Sequence, residues 1–437
     1  MAIVAIVGRP NVGKSSIFNR IIGKRSAIVD DQPGVTRDRL YGEAEWGGKS
    51  FYIVDTGGIM PSEAHPFMDL IAQQVDLAID ESVVIIFVVD GRDGITPMDK
   101  QIALKLRKSG KPVILAMNKL DNQKQEEDML YEAYELGFDT VIATSAEHNK
   151  GFDEIQDVLV TLLPEEAEIE ESSDEIRVTL VGRPNVGKSS LFNAIAGEKR
   201  SMVSDIAGTT RDVVDTLVEV DGTKFRFLDT AGLRRKSKVK SDIEYYSNVR
   251  TYQAIDRCQV ALVLLDAQEP VTDQDKRLIG QVLERGKGLI LVMNKWDLAP
   301  KESKIGDKMR DLLIDELPFA KYAPQIFISA ISGRSLHKLP EMILSVENNR
   351  KRRISTSELN RLVREVLIFE RMPGDGKGRS LKIYYCTQAD GAPPAFIFFV
   401  NDITLSTRPF RRHLENIIRK MGDFSGVPIK IFMRNRE

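Results

Sequence analysis

The octapeptide Gly-Arg-Pro-Asn-Val-Gly-Lys-Ser occurs twice in this chain, at residues 8–15 and 182–189. Each copy matches G-x-x-x-x-G-K-[ST], in which glycines let consecutive backbone N–H groups point into one hollow around nucleotide phosphates. The Lys would reach the β and γ phosphates, and the Ser would offer its hydroxyl to Mg²⁺. The two predicted phosphate loops are Gly8, Arg9, Pro10, Asn11, Val12, Gly13, Lys14 and Ser15, and Gly182, Arg183, Pro184, Asn185, Val186, Gly187, Lys188 and Ser189.

A second pair of motifs, of the form D-x-x-G, follows the loops with the same separation of 174 residues. Its Asp is placed to hold Mg²⁺ through water, and its last Gly can offer a backbone N–H to a γ phosphate. An ordinary strand-to-turn sequence would be the better explanation of one copy alone, but it becomes the weaker one when each copy follows a phosphate loop. The residues are Asp55, Thr56, Gly57 and Gly58, and Asp229, Thr230, Ala231 and Gly232.

Between these motifs lie residues 34–38 and 208–212, which are also 174 residues apart. Thr36 and Thr210 are the candidates for a switch residue that completes the Mg²⁺ shell only when a triphosphate is bound. Without the flanking motifs, a solvated polar turn would explain each segment equally well.

An Asn-Lys-x-Asp motif follows an apolar strand in each half and would select the base. Its Asp can accept from N1–H and N2–H₂ of guanine, whereas adenine would leave these acceptors unpaired at a cost of about 1 to 3 kcal/mol each. The Asn would help to fix the loop and the Lys stem would stack over the base. A short loop further on, weak evidence by itself, completes the base side. The predicted residues are Asn118, Lys119, Leu120, Asp121, Ser145 and Ala146, and Asn294, Lys295, Trp296, Asp297, Ser329 and Ala330.

Parallel strands and helices are needed to bring these loops together. Residues 3–7 and 178–181 are apolar enough for buried strands, and residues 17–22 and 191–196 continue as helices. Each phosphate loop therefore lies between a strand and the N-terminus of a helix, where the helix dipole favours an anion. The predicted fold class is α/β, with two tandem P-loop domains.

The residue after each D-x-x-G motif is aliphatic, Ile59 in the first half and Leu233 in the second. Neither side chain can hydrogen-bond a water nucleophile, which is the usual task of a Gln at this place. If the sites hydrolyse a nucleotide, turnover should be slow unless another group compensates.

Composition divides the 437 residues into parts. The acidic stretch 164–175 is predicted to link domain 1–163 to domain 176–347, and residues 348–437 form the tail domain. No apolar run approaches the ~20 residues that a membrane span requires, and the chain starts without a signal peptide, so a cytoplasmic protein is expected. Cys258 and Cys386 are expected to be unpaired core thiols.

The tail carries eighteen Lys and Arg against nine Asp and Glu from residue 350 onward, while the other 349 residues carry about minus eleven. Such asymmetry indicates contact with RNA phosphates, although a solvated basic face would explain any single residue. The candidates are Arg350, Lys351, Arg352, Arg353, Arg361, Arg364, Arg411, Arg412, Arg419 and Lys420.

Elements of the tail are predicted as a helix over 357–370, strands over 381–387 and 395–401, a helix over 407–421 and a strand over 429–433. None of its six glycines shows the G-x-x-G spacing that clamps nucleotides in ordinary KH modules. RNA contact would therefore use another surface, or the tail would serve as a hub between the two larger domains.

Taken in order, these motifs resemble the tandem bacterial GTPases of the Der or EngA family, over essentially the whole chain. The basic segment 233–236, the Tyr-Tyr-Ser at 245–247 and the string Phe-Phe-Val-Asn-Asp at 398–402 add to the likeness. The resemblance implies two GTPase domains of mainly parallel sheet flanked by helices, followed by a small α+β KH-like domain. It also implies that the protein hydrolyses GTP with the help of Mg²⁺. The implied role is in ribosome biogenesis, through binding to the large ribosomal subunit or its RNA. No membrane partner is implied, and we expect a monomer.

The same resemblance implies a potassium ion beside the phosphates, held partly by Asn11 and Asn185, which would replace the missing Gln. These two residues could instead only shape the loop. The halves also differ after D-x-x-G, where residues 59–63 are uncharged except for Glu63 and residues 233–238 are basic. The basic segment is either a docking surface or a solvated loop.

Two other classes of function are weighed against a GTP-driven assembly switch. A metabolic enzyme would need a further substrate-activating cluster, which the sequence does not show. A structural protein with two inert guanine sites would fit Ile59 and Leu233, and measurable GTP turnover would exclude it.

Overall fold

The first half of the chain folds as a six-stranded sheet in the computed structural model. Its strands are β1 (Ala2–Val7), β2 (Tyr41–Trp46), β3 (Lys49–Asp55), β4 (Val84–Asp90), β5 (Val113–Asn118) and β6 (Thr140–Ala143). The spatial order is β2-β3-β1-β4-β5-β6, with only the β2–β3 pair antiparallel. The structure describes residues 1–23, 41–55, 75–76, 78–120, 129, 131–165, 174–197, 202–207, 214–230, 244–300, 302–369, 372–374 and 379–436.

Helices cover both faces of this sheet because β1 is apolar on both sides. Val4 and Ile6 join the core with α1 (Lys14–Ile22) and α3 (Phe152–Leu162). Ala5 and Val7 face the opposite core, which contains α2 (Pro97–Ser109). Burial of alternate residues in different cores explains the continuous apolar run.

A seven-stranded sheet repeats this arrangement in the second half. Its order is β13-β12-β11-β7-β10-β9-β8, with only the β10–β9 and β9–β8 pairs antiparallel. The strands are β7 (Glu175–Val181), β8 (Met202–Ala207), β9 (Val214–Val220), β10 (Thr223–Phe227), β11 (Val260–Asp266), β12 (Gly288–Asn294) and β13 (Gln325–Phe327). The helices are α4 (Lys188–Ala196), α5 (Glu244–Arg257), α6 (Asp273–Glu284), α7 (Ile305–Glu316) and α8 (Leu339–Arg350).

The tail forms a three-stranded sheet with helices packed on one face. Helix α9 (Thr356–Phe369) precedes β14 (Ile383–Gln388) and β15 (Ala395–Val400), and α10 (Arg408–Met421) precedes β16 (Lys430–Asn435). Strand β15 lies in the centre, antiparallel to β14 and parallel to β16. All five elements lie within two residues of their predicted bounds, and the predicted fold class is confirmed.

Two compact units result, residues 1–171 with 244–249 and residues 172–243 with 250–437. The second unit therefore contains both the seven-stranded sheet and the tail. Glu175, the last residue of the predicted linker, begins β7; the linker residues 166–173 lie outside the described part of the chain. No helix among the described residues is both long and apolar enough to cross a membrane.

Candidate functional site

The two phosphate loops have the same backbone shape. The last Gly before each helix has a φ of 96° at Gly13 and 97° at Gly187. Asn11 and Asn185 have φ values of 66° and 62°, in the left-handed region that Asn tolerates better than most residues. The sequence identity of the loops therefore carries over into their geometry.

A close approach explains the Gly at position 13. A Cβ there would lie 2.3 Å from Nδ2 of Asn118, and the same clash arises at Gly187 with Asn294, at 2.2 Å. Any side chain at these positions would displace the Asn from its loop.

Lys14 ends in the hollow of its loop, as the motif predicts. Its Nζ donates to the carbonyls of Gly8 and Arg9 at 2.8 Å, and Lys188 makes the equivalent contacts with Gly182 and Arg183. Burial lowers the pKa of Lys14. The Arg9 cation lowers it further, whereas the Asp55 carboxylate acts in the opposite direction and raises it. A buried ammonium held by neutral carbonyls is suited to an anionic partner such as a phosphate.

Ser15 and Asp55 come together at the foot of the first loop. The Ser15 hydroxyl donates to Oδ2 of Asp55 at 2.6 Å, although forty residues separate them. Hydroxyl and carboxylate oxygens are the hard ligands that Mg²⁺ prefers. These two residues therefore fit the predicted metal position.

The corresponding acid of the second half has a different environment. Asp229 has a φ of 53°, and its backbone N–H donates to Asp215 at 3.3 Å. Asp215 is buried and pairs with Arg257 at 2.6 Å. The neighbouring hydroxyls of Thr216 and Thr230 are 2.9 Å apart. The halves thus differ at the D-x-x-G motif even within the described residues.

Asn118 connects the base loop to the phosphate loop. Its Nδ2 donates to the carbonyl of Val12 at 2.9 Å, and its Oδ1 accepts from the N–H of Ala146 at 3.1 Å. Asn294 repeats both contacts with Val186 and Ala330. The predicted fixing role of this Asn is therefore visible as a contact between three loops.

An Asp at the end of the neighbouring strand holds the motif Lys, which sequence reasoning missed. Lys119 Nζ contacts Oδ2 of Asp90 at 2.6 Å and the carbonyl of Asn11 at 2.7 Å. Lys295 contacts Asp266 at 2.6 Å. The signal was available, because each of these Asp residues lies 29 positions before its Lys.

The pKa of Asp90 shows that this pair is favourable. Burial by itself would raise that pKa, but hydrogen bonds from Lys119 and from the N–H groups of Arg92 and Asp93 outweigh it and lower the pKa below its ordinary value. Burial and Lys295 act in the same opposed way on Asp266, whose pKa is also lowered.

A helix cap anchors the Arg of each phosphate loop, a second contact that the sequence analysis did not find. Thr96 and Asp99 form a capping box at the start of α2, and Arg9 lies 3.4 Å from Asp99. Arg183 lies 3.0 Å from Asp275, which caps α6 in the same way. Both acids are fully buried. The T-x-x-D pattern at 96–99 and 272–275 was the local signal.

The base side of each site is built on buried apolar residues. Leu120 is buried, and Trp296 packs its ring 4.5 Å from that of Phe327. Asp297 follows on a short 3₁₀ helix (Trp296–Leu298) and is exposed. Its carboxylate is therefore accessible to a base, while the Trp keeps its backbone in place.

Ser145 and Ser329 shape the final loop from inside. Both are buried, and their hydroxyls accept from the N–H groups of His148 and Ser332. They stabilise the turn rather than project from it.

Several predicted residues lie outside the part of the chain that the structure describes, and their roles stay predictions. They are Thr36, Thr56, Gly57, Gly58, Ile59 and Asp121 in the first half, and Thr210, Ala231, Gly232 and Leu233 in the second.

Two of the predicted RNA-contacting residues pack against other groups of the protein. Arg350 is 6% exposed and pairs with the buried Glu347 at 2.7 Å. Arg419 stacks 3.6 Å from the ring centre of Tyr322 and is bound to Glu415. The prediction for Arg350 was wrong, because burial with a counter-charge removes its guanidinium from phosphates.

The other candidates are more accessible. Lys351 pairs with Glu347, and Arg353 with Asp390. Those exposed to solvent are Lys351, Arg352, Arg353, Arg361, Arg364, Arg411, Arg412 and Lys420.

Both cysteines are free and buried, as predicted. Burial raises the pKa of Cys258 and of Cys386 to about 12. Neither thiol is therefore a nucleophile at neutral pH.

Two P-loops, each tied to the Asn and Lys of a base loop, define a protein with two tandem P-loop GTPase domains. A family model described as "50S ribosome-binding GTPase" matches residues 3–119 and 177–295. A second model, "KH-domain-like of EngA bacterial GTPase enzymes, C-terminal", matches residues 353–434.

Curated relatives match over the full length. The protein "GTPase Der" of Caldicellulosiruptor saccharolyticus is 47% identical over 99% of this chain and 98% of its own. Its namesake from Symbiobacterium thermophilum is 49% identical over 100% and 92%, and that from Clostridium tetani 47% over 100% and 99%. The chain belongs to the GTPase Der family, and it binds and hydrolyses GTP.

Proposed function

We propose that this GTPase acts in ribosome biogenesis, by binding the large ribosomal subunit in a manner that depends on its nucleotide. The observation that carries the proposal is the combination of two nucleotide sites with a basic KH-like domain in one chain. The family model's description as a 50S ribosome-binding GTPase supports the choice of partner. A ribosomal partner also implies action in the cytoplasm, and we expect the protein to act there as a monomer.

Helix α10 presents positive charge on the surface of the tail. Arg408, Arg411 and Arg412 are exposed in its first turns. An open cavity of about 590 Å³ lies on this side, lined by Arg408, Pro409, Arg412, His413 and Asn416. Arg binds phosphate in a bidentate manner, so this surface suits an RNA backbone.

At the nucleotide, the phosphate loops would hold the β and γ phosphates through their N–H groups and Lys14 or Lys188. Ser15 and Asp55 would hold Mg²⁺ in the first site, with Thr36; Ser189, Asp229 and Thr210 would do so in the second. The ion supplies charge neutralisation to the phosphates. Asp121 and Asp297 would select guanine over adenine.

Sedimentation with purified 30S and 50S subunits tests the partner. We expect the protein to pellet with 50S subunits in the presence of a non-hydrolysable GTP analogue and to remain in the supernatant with GDP. Equal sedimentation in both nucleotides would contradict a switch. Binding to 30S alone would contradict the choice of subunit.

A potassium ion is proposed to assist hydrolysis, since Ile59 and Leu233 cannot orient water. Asn11 and Asn185 would contribute ligands. Replacing Na⁺ by K⁺ in a turnover assay should then raise the rate. The variants Asn11→Gly and Asn185→Gly keep the left-handed backbone without strain and remove only the side chain. They should abolish the difference between the two salts, and equal wild-type rates would exclude the ion.

A further inference from the structure

The sheet of the tail buries one face and exposes the other. Along β15, Phe396 and Phe398 are fully buried, whereas Ile397 and Phe399 between them are partly exposed. Strand β16 alternates in the same way, and its Phe432 is 49% exposed. We call the outward residues of β14, β15 and β16 the sheet face. Its residues are Tyr385, Thr387, Ala395, Ile397, Phe399, Lys430, Phe432 and Arg434.

Flat aromatic rings dominate this face. Tyr385 pairs with Phe399 across the strands, and their rings stack with centres 4.3 Å apart and planes inclined by 13°. Phe432 lies opposite Ile397. Tyr385 is 39% exposed. Tyr385 and Phe432 belong to the two outer strands, which lie about 10 Å apart.

Positive charge lies among the rings, and the three strands themselves carry no acidic residue. The eighteen residues of the three strands include no Asp or Glu. Lys430, Phe432 and Arg434 alternate outward along β16, and the Arg436 guanidinium lies 4.8 Å from the ring centre of the exposed Tyr384. Neither Lys430 nor Arg434 forms an ion pair with any described residue.

We infer that the sheet face binds single-stranded RNA, with bases stacked on Tyr385 and Phe432 and phosphates beside Lys430, Arg434 and Arg436. Exposed rings offer every base the same flat surface, and the cations match the phosphates that join the bases. A duplex keeps its bases stacked inside and cannot use the rings. This assignment rests on the proposed function, because the ribosome is the source of the RNA.

Helix α10 lies on the other side of the sheet, which separates the two basic surfaces. Phe410, Leu414 and Ile418 of α10 pack into the core together with Phe396 and Phe398. The exposed Arg411 and Arg412 are therefore remote from the sheet face and provide a matched comparison in the same domain.

Fluorescence anisotropy with the full chain and a labelled twelve-nucleotide single-stranded RNA tests the inference. Tyr385→Ala and Phe432→Ala should each weaken binding by about tenfold, because each removes one stacking surface. Tyr385→Phe keeps the ring and should bind as the wild type does. Tyr131, which is 82% exposed in the first unit, provides the control Tyr131→Ala, with no expected change. Unaltered GTP turnover and circular dichroism confirm that each variant is folded.

An abasic oligonucleotide of equal length separates stacking from charge. The wild type should bind it at least tenfold more weakly than the RNA, and Phe432→Ala should cause no further loss. Equal wild-type affinity for the two probes would overturn the stacking.

The subunit sedimentation separates this inference from the proposed function. If Arg411→Ala with Arg412→Ala abolishes RNA binding while Tyr385→Ala and Phe432→Ala do not alter it, the sheet face is overturned and the ribosomal function stands. If the wild type binds the RNA as expected but no ribosomal subunit, the ribosomal function fails and the sheet face stands. A wild type that binds no single-stranded RNA overturns the sheet face.

Discussion

Single side chains hold each nucleotide site together over long stretches of sequence. Asn118 contacts Val12 across 106 positions, and Lys119 contacts Asn11 across 108. The base loop is therefore hydrogen-bonded directly to the phosphate loop. The Asn and Lys of the base motif hold these two loops together. The Asn contacts are repeated in the second half, which indicates that they are part of the structure of each nucleotide site.

Removing the carboxylate at position 90 should weaken nucleotide binding by the first site. Asp90 holds Lys119 at 2.6 Å and is 2% exposed. Without it, the ammonium loses its counter-charge and the stem its position. We expect Asp90→Ala to lower GTP affinity about tenfold, which is about 1.4 kcal/mol. Titration with a fluorescent GTP analogue, with the second site disabled by Lys188→Ala, measures the effect.

Asp157→Ala is the matched control for this change. Asp157 is exposed on α3, so its removal deletes a carboxylate from the same domain without touching the site. Its affinity should equal that of the parent protein. The same affinity in Asp90→Ala would show that Lys119 needs no anchor.

The pH dependence of this pair follows from the sign of the pKa shift. Hydrogen bonds with Lys119 and two backbone N–H groups, acting against burial, lower the pKa of Asp90 below 3.8. The pair therefore contributes its full stabilisation above that ordinary value and loses it only as the pH falls through the lowered one. We therefore expect the difference in GTP affinity between the wild type and Asp90→Ala to be the same at every pH between about 6 and 8. Titrations of both proteins over this range measure that difference.

At the level of elements, the local sequence was sufficient to predict where the helices and strands of the tail begin and end. The five elements of the tail were predicted within two residues. Arg350 shows the limit. Its burial depends on Glu347 within α8 and on the Gln259 amide, 3.3 Å from that Glu but 88 positions away in sequence. The charge count of the tail contains no information on such a contact.

One loop of the tail packs into the preceding domain. The carbonyl of Gly426 accepts from the N–H of Leu289 at 2.7 Å, and its own N–H donates to Tyr322 at 2.9 Å. Val427 belongs to the core of the seven-stranded sheet. The tail and this sheet are therefore built as one body around the residues 426–427.

Crowding at position 426 should make this junction sensitive to one methyl group. A Cβ there would lie 2.6 Å from Val346 Cγ2 and 3.0 Å from the carbonyl of Leu289, on a backbone with a φ of 76°. We expect Gly426→Ala to lower the free energy of unfolding of the second unit by about 1 to 3 kcal/mol beyond the cost of the backbone alone. Urea denaturation measures the loss.

Gly391→Ala separates crowding from backbone strain. Gly391 has a φ of 103°, and a Cβ there would meet no atom within 4 Å. It should therefore show only the smaller cost of Ala in a left-handed conformation. Equal losses in the two variants would mean that the junction does not depend on close packing at Gly426.

For the whole molecule, two sites of common design lie in different folding units. Their phosphate loops and Asn contacts agree, but Asp229 has a left-handed backbone with a φ of 53° and Asp55 does not. Identical phosphate loops beside D-x-x-G acids of different backbone geometry favour two sites with unequal properties. The sequence showed this inequality only in the residues after D-x-x-G.

The number of GTP molecules bound by variants that lack one loop Lys should show how many sites the chain has. Each Lys supplies the ammonium that ends in the hollow of its own loop, so Lys14→Ala and Lys188→Ala should each reduce bound GTP from two molecules to one at saturation. The double variant should bind none with comparable affinity and should lose GTP turnover. Equilibrium dialysis gives the stoichiometry, and release of phosphate gives the rate. Because the two D-x-x-G environments differ, the single variants should retain unequal rates.

Lys100→Ala is the control, because Lys100 is exposed on α2 and should leave both quantities unchanged. Unchanged turnover in the double variant would refute catalysis at these loops, since a phosphate without its Lys keeps the backbone N–H groups but loses the ammonium in the hollow of the loop. Equal residual rates in the two single variants would instead refute the inequality alone. In that case the difference between Asp55 and Asp229 would have no effect on the hydrolytic step.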